Sequence, residues 1–239
     1  MTDIKMLRLS TTRWARLVGV LAICIALACS WWALDRGIQF ARLGLSYVPP
    51  LDGQEGMALW EAGLLREGPG LYQPVVPEHF VSAPYPPVHP LVLALLHPFE
   101  GDVVFREGRL VSLVAALGVA LCAWGAVWRT TGSALGGFVA AALILSFAPL
   151  QLWALRIKPD PLGLVFTVGG LWLIALWKPH ARPAAGRSGA GLLPVPLVAA
   201  ALAFVVAHFT KQTMLAGALA AGTYLLLRDW RLALRWGIL

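Results

Sequence analysis

Apolar positions in this chain fall in long uncharged blocks, with the charges collected between them. The blocks are 17–34, 110–128, 133–155, 161–177, 192–209 and 213–227. Most approach the roughly 20 residues needed to cross a 30 Å hydrocarbon core. The pattern predicts an all-α polytopic membrane protein of about six transmembrane helices. The interval 35–109 differs, and reads as a long loop between the first and second spans. Within it Pro49-Pro50 breaks any helix, and 56–67 has the spacing of one amphipathic helix, its apolar face made by Met57, Trp60, Leu64 and Leu65 and its end marked by Gly68. Such a helix can lie in the interface plane. A proline-rich turn region, 68–87, follows. The run 88–99 is apolar but short, with Pro90 and Pro98 flanking its core. At about 1.5 Å per residue it cannot span, so it is read as interfacial or re-entrant.

Composition agrees with the block pattern. Hydrophobic residues make up 59% of the 239 and charged residues 13%, about half the charged share usual in soluble domains. The net charge of +7 invites a nucleic-acid reading, but no basic face with interleaved aromatics is present and the basic residues cluster at the ends of apolar runs. Nucleic acid is therefore not an expected partner. Lys5, Arg8, Arg13 and Arg16 precede the first block, which places the N-terminus in the cytoplasm. Ala26-Leu27-Ala28-Cys29 is loosely like a lipoprotein cleavage site, but the run is long for a signal core and more spans follow, so it reads as an uncleaved first span of a multi-pass protein in the cytoplasmic (inner) cell membrane.

With six spans, Arg129, then Lys178, Arg182 and Arg187, then Arg228, Arg231 and Arg235 fall on the same inner side, offset only by Asp3 and Asp229. If 88–99 spanned, every later loop would change sides and the positive-inside rule would fail. Cys24, Cys29 and Cys122 all lie in apolar runs with no CxxC spacing, so they read as buried small hydrophobes rather than a metal site or disulfide framework. Gly136-Gly137 and Gly169-Gly170 allow close helix packing without by themselves establishing a dimer.

Candidate chemistry gathers on the outer side. Asp52 and Glu55 open the amphipathic helix; Arg156, Lys158 and Asp160 fill the turn between spans three and four; Lys211 and Gln212 fill the turn between spans five and six. Charges beside spans often only mark the interface, but here three outer segments each supply one. Asp-x-x-Glu before a helix is also a capping box, with Asp52 as N-cap and Glu55 at N3. The two readings are compatible, because a helix N-terminus favours an ionised carboxylate. Such a carboxylate can serve as general base toward a hydroxyl, or two of them, Asp52 and Asp160, could hold Mg²⁺ or Mn²⁺ beside a phosphate. Arg156, Lys158 and Lys211 suit an anionic phosphate group. His79, His89 and His97 lack the spacing of a zinc helix and read as loop or interfacial residues.

Leu51-Asp52-Gly53-Gln54-Glu55-Gly56, then 68–72, then Ser82-Ala83-Pro84-Tyr85-Pro86-Pro87-Val88-His89-Pro90-Leu91 together resemble the first outer loop of bacterial GT-C glycosyltransferases, relatives of the protein O-mannosyltransferases and the lipid A aminoarabinose transferase. Arg109-Leu110-Val111-Ser112, Arg156-Ile157-Lys158-Pro159-Asp160-Pro161-Leu162 and Thr210-Lys211-Gln212-Thr213 are similar to later segments of that family, and the resemblance covers roughly 35–235. It implies a membrane enzyme that moves a sugar from a polyprenyl-phosphate donor to a glycan, lipid or protein acceptor of the cell envelope, usually with inversion. It implies Asp52 with Glu55 as base or metal ligand, Asp160 as the second-loop acid, and Arg156, Lys158, Lys211, Gln212, Tyr85 and His89 as substrate-binding residues. Two departures stand out: the family's adjacent Asp-Glu pair is split by two residues here, and the chain has fewer spans than is common, as in a short or truncated form. The rival readings are a non-catalytic membrane assembly subunit, which tolerates neutralised carboxylates, and a transporter, which needs polar groups at mid-membrane.

Overall fold

The computed structural model describes residues 3–68, 70–74, 83–96, 104–177 and 193–238, with side chains from Trp14 onward. The described residues form α-helices and one 3-10 turn, with no strand among them. Among the described residues three helices are long and apolar enough to cross a membrane, or four if one bent pair counts as a single span. The architecture fits an all-α membrane protein.

The first helix, α1 (Asp3–Ser46), runs well past the expected end of span one at 34. Asp35 and Arg36 do not stop it, because a charge alone does not break a helix, and Asp35 accepts a hydrogen bond from Gln39 one turn on at 2.8 Å. The chain leaves helix only near Pro49-Pro50, where the ring removes a donor and blocks the helical path. Most of α1 is exposed, including Trp14, Leu21, Ile25, Trp31 and Trp32, as a lipid-facing helix would be. Cys24 and Cys29 are exposed on it and Cys122 is partly buried, so the cysteines are free but not the buried hydrophobes expected.

Next come α2 (Gly53–Glu67) and α3 (Val88–Leu96), which pack on each other. Asp52 caps α2 by accepting from the backbone N–H groups of Gln54 and Glu55, and Gly68 ends it at φ 100°, the left-handed position glycine takes readily. The expected face is inverted. Met57 and Trp60 are exposed, while Glu55, Ala58, Leu59, Glu61 and Ala62 are buried. α3, at about 13 Å, is too short to span. Its His89, Pro90 and Leu93 are buried. His79, His97 and Ser82 lie outside the described residues.

α4 (Val104–Thr131) crosses the body and packs on α5 (Ala134–Ser146) and α7 (Pro159–Leu176). The expected single span 133–155 is two helices, α5 and α6 (Ala148–Ala154), bent by 69°. Pro149 explains the break, since its ring has no N–H and would clash with the preceding turn. α7 packs on α8 (Val195–Thr210), and a 3-10 turn, Gln212–Met214, leads to α9 (Leu215–Arg228) and α10 (Trp230–Gly237). α8 and α9 are only about 24 and 21 Å long, shorter than the expected fifth and sixth spans need. Residues 178–192, with Lys178, Arg182 and Arg187, lie outside the described residues. α10 was not expected; Asp229 caps it, and its buried Trp236 donates to the Leu197 carbonyl at 2.9 Å.

Close glycine contacts set two of the helix pairs. A Cβ on Gly137 would fall 2.5 Å from Trp124 Cδ1 and 2.8 Å from the Trp124 carbonyl, and one on Gly170 would fall 2.9 Å from the Phe204 ring.

Candidate functional site

Polar side chains collect at one end of the bundle, where α1 and α8 finish, α4 and α7 begin, and α2 and α3 lie. Its centre is Arg109, fully buried in the second turn of α4. Its Nε and Nη2 donate to the two carboxylate oxygens of Glu55 at 2.9 and 2.8 Å. Nη1 donates to the carbonyls of Gly44 and Tyr47 at 2.8 and 2.5 Å, and Nη2 also donates to that of Pro49 at 2.8 Å. All five guanidinium N–H groups are used. Glu55 is equally saturated, accepting in addition from the backbone N–H of Leu51 at 2.5 Å and of Ile157 at 3.1 Å. The expected capping box is thus half present: Asp52 caps, but the Glu55 carboxylate passes the Asp52 N–H and bonds the residue before it. In this arrangement Glu55 has no lone pair left for a substrate. Ser112, one turn after Arg109, bonds the backbone of Lys158 in both directions, accepting from its N–H at 3.3 Å.

Pinned in this way, the turn after α6 presents its cations to Asp52. Lys158 Nζ lies 3.0 Å and Arg156 Nη1 3.7 Å from Asp52 Oδ2. Lys158 also donates to the Gln54 amide oxygen. Burial pushes the Asp52 carboxyl up, but the Lys158 ammonium and the N–H groups of Gln54 and Glu55 outweigh it and hold it below its ordinary 3.8. Two residues further on, Asp160 in the first turn of α7 pairs with Lys211 at 2.5 Å. Lys211 Nζ is also 5.7 Å from the centre of the Tyr85 ring, within cation–π reach. Gln212 is exposed in the 3-10 turn. Among the described residues no three histidine, cysteine or carboxylate side chains come together as a metal site. Asp52 and Asp160 are each held by a lysine ammonium.

A small cleft of about 30 Å³ opens between α2, α3 and the start of α7, lined by Gln54, Glu61, Tyr85, His89 and Lys158 among others. Two of its residues were not expected to be buried polar groups. Glu61 is 2% exposed and His89 1%. Glu61 Oε1 and His89 Nε2 find no hydrogen-bond partner among the described residues. Burial alone pushes the Glu61 carboxyl up to about 7 and the His89 imidazole down to about 3. Tyr72 nearby is raised by burial and by the charge of Glu61.

Beside the polar end runs an apolar groove of about 210 Å³ between α1 and α4–α6, lined by Gly37, Phe40, Ala116, Leu145 and Leu155 among others. It adjoins a second cavity of about 330 Å³ that shares Phe40 and Leu155 and includes Ser46, Tyr47 and Arg156. Among the described residues Arg156 is the one charged side chain lining that second cavity.

The structure brings Asp52, Lys158 and Arg156 together, and Asp160, Lys211 and Tyr85 beside them. It turns Glu55 to the Arg109 hub. Sequence reasoning missed Glu61 as a candidate and gave Arg109 no role. Gln54, Ala58 and Glu61 recur at helical spacing on one face of α2, which could have drawn attention to Glu61. Comparison with family models, with curated proteins and with solved structures finds no match.

Proposed function

We propose that the protein is a membrane glycosyltransferase that takes its sugar from a polyprenyl-phosphate donor and passes it to a hydroxyl acceptor at the outer membrane surface. The observation that carries this reading is the apolar groove beside a cavity lined by Arg156, which shares Asp52 with Lys158. A long apolar chain with one anionic head has this shape and charge distribution. The partners are a lipid-linked sugar, a cell-envelope glycan, lipid or protein acceptor, and the bilayer itself. The resemblance of the three site segments to GT-C enzymes agrees with it, and so does the positive-inside arrangement of six spans, with α8 and α9 as short crossings and α2 and α3 at the outer interface.

The prenyl chain lies along α1 in the groove. Arg156 binds phosphate through two N–H groups and Lys158 adds a point charge. Asp52 holds those cations in place before the donor arrives, so the phosphate meets a preorganised field rather than mobile side chains. As the anomeric C–O bond to phosphate breaks, the departing oxygen gains negative charge and the same cations stabilise it.

The test is binding of decaprenyl phosphate to the full chain in nanodiscs, measured by native mass spectrometry against decaprenol. The phosphate should be retained and the alcohol lost, and Arg156→Ala should weaken retention by about tenfold, the equivalent of one charge-assisted hydrogen bond. Equal retention of phosphate and alcohol by the wild type would refute a phosphate-selective site.

A further inference from the structure

Two buried polar atoms without partners belong to residues that line one cleft, and nothing in the phosphate-binding reading uses them. Buried polar groups are nearly always hydrogen-bonded. Glu61 Oε1 and His89 Nε2 are both exceptions among the described residues, they lie on different helices, α2 and α3, and they line the same space. At about 30 Å³ that space has room for about one water or one functional group of a ligand.

The chemistry of the walls narrows the occupant. A carboxylate offers only acceptors, while neutral imidazole offers a donor at whichever nitrogen carries the proton. A hydroxyl, with one donor and two lone pairs, satisfies both at once. An ammonium offers donors alone, and the Lys158 charge lining the cleft opposes it. Lys158 is also the link to the phosphate cluster, since the same side chain pairs with Asp52 beside Arg156. A hydroxyl in the cleft therefore sits next to the place where the leaving phosphate is held.

We propose that this cleft is the subsite for the attacking hydroxyl of the acceptor, with Glu61 as the group that takes its proton and His89 as the residue that orients it. This assignment rests on the glycosyl-transfer reading above. The acceptor O–H bond breaks and its proton passes to the Glu61 carboxylate. The oxygen forms the new bond to the anomeric carbon. The anomeric C–O bond to phosphate breaks, and its electron pair leaves on the polyprenyl phosphate.

Asp52, held acidic by Lys158, is a poor proton acceptor by comparison. Glu61, raised by burial to about 7, is matched to neutral pH, where a general base works best. The titratable groups facing it are Tyr72, Tyr85, His89 and Lys158, and the Lys158 charge is already engaged by Asp52 and Gln54.

The experiment uses the full chain in detergent with a panel of synthetic decaprenyl-phosphate hexoses and pentoses, with water as the smallest acceptor, and follows release of decaprenyl phosphate between pH 5 and 9. The wild-type rate should rise through about pH 7 and level off. Glu61→Gln should lower the plateau by about 100-fold or more and flatten the profile, while decaprenyl phosphate binding stays at the wild-type level. Glu61→Asp should keep the rise with pH at a reduced rate. Wild-type turnover in Glu61→Gln, or a flat profile in Glu61→Asp, overturns the assignment. A wild type that neither binds nor releases decaprenyl phosphate instead overturns the glycosyl-transfer reading on which it rests.

Discussion

Replacing Glu61 with glutamine should stabilise the fold at pH 8 relative to its effect at pH 4. The carboxyl is raised from its ordinary 4.5 to about 7. Below pH 4.5 it carries its proton whether the chain is folded or not, and contributes nothing. From 4.5 to about 7 the unfolded chain releases the proton while the folded chain keeps it, so stability falls as pH rises. Above 7 the deficit is constant. At about 1.4 kcal/mol for each tenfold change in proton affinity, it amounts to about 3 kcal/mol. His89 acts in the opposite sense. Its imidazole is depressed from 6.5 to about 3, so the unfolded chain takes up a proton below 6.5 that the folded chain does not, and stability falls as pH falls toward 3.

Between pH 4.5 and 6.5 the two slopes cancel, and the pair conceals itself in the wild type. The variant should uncover the His89 slope: stability that climbs with pH from about 3 to 6.5 and then stays level, without the descent toward 7. Comparing wild type and variant at each pH removes any constant cost of the amide. The assay is thermal unfolding in detergent followed by tryptophan fluorescence at pH 4, 5.5, 6.5 and 8. For a chain of this length each kcal/mol shifts Tm by about 2–4 °C, so the Tm gap between variant and wild type should widen by about 6–12 °C from pH 4 to pH 8. A gap that does not change with pH refutes the claim that Glu61 is buried away from a compensating charge.

Two further outcomes test the frame around the site. Arg109→Lys should destabilise by about 3–5 kcal/mol, because it strands the buried Glu55 carboxylate beside a side chain with too few donors in the wrong geometry; chemical unfolding measures it, and near-wild-type stability would show that the hub is dispensable. Gly137→Ala should cost about 1–3 kcal/mol, since the new methyl meets the Trp124 backbone carbonyl at 2.8 Å and cannot be relieved by rotating a side chain; an unchanged Tm would mean α4 and α5 sit farther apart.

Much of the frame was legible in the sequence because it depends on local rules. Asp52 caps and Gly68 terminates a helix wherever the flanking pattern is helical, and Pro49-Pro50 keeps α1 from running on. Pro149 supplies the break within 133–155, though the size of the bend depends on what the two halves pack against. Charge misled at Asp35, which interrupts hydropathy without interrupting the backbone. The face of α2 misled for a different reason. Met57 and Trp60 turn outward, and the small residues Ala58 and Ala62 take the inner face with Leu59 and the acids. That choice hides Glu61 and Glu55 from a hydrophobicity argument. Arg109 was equally hidden, since its partners lie 54 and more residues away in sequence and no local pattern announces them.

The Arg109–Glu55 hub also has a meaning in time. Its ligands come from the end of α1, the segment before α2, the start of α4 and the turn at Ile157. A growing chain makes them in that order, and until Ile157 emerges one lone pair of Glu55 has no donor. Burying a carboxylate costs free energy while it is unsatisfied, so the loop that carries Asp52 gains its full set of bonds only with the turn at Ile157. The loop that carries Asp52 is therefore the last part to be fastened, though it is among the first to be synthesised.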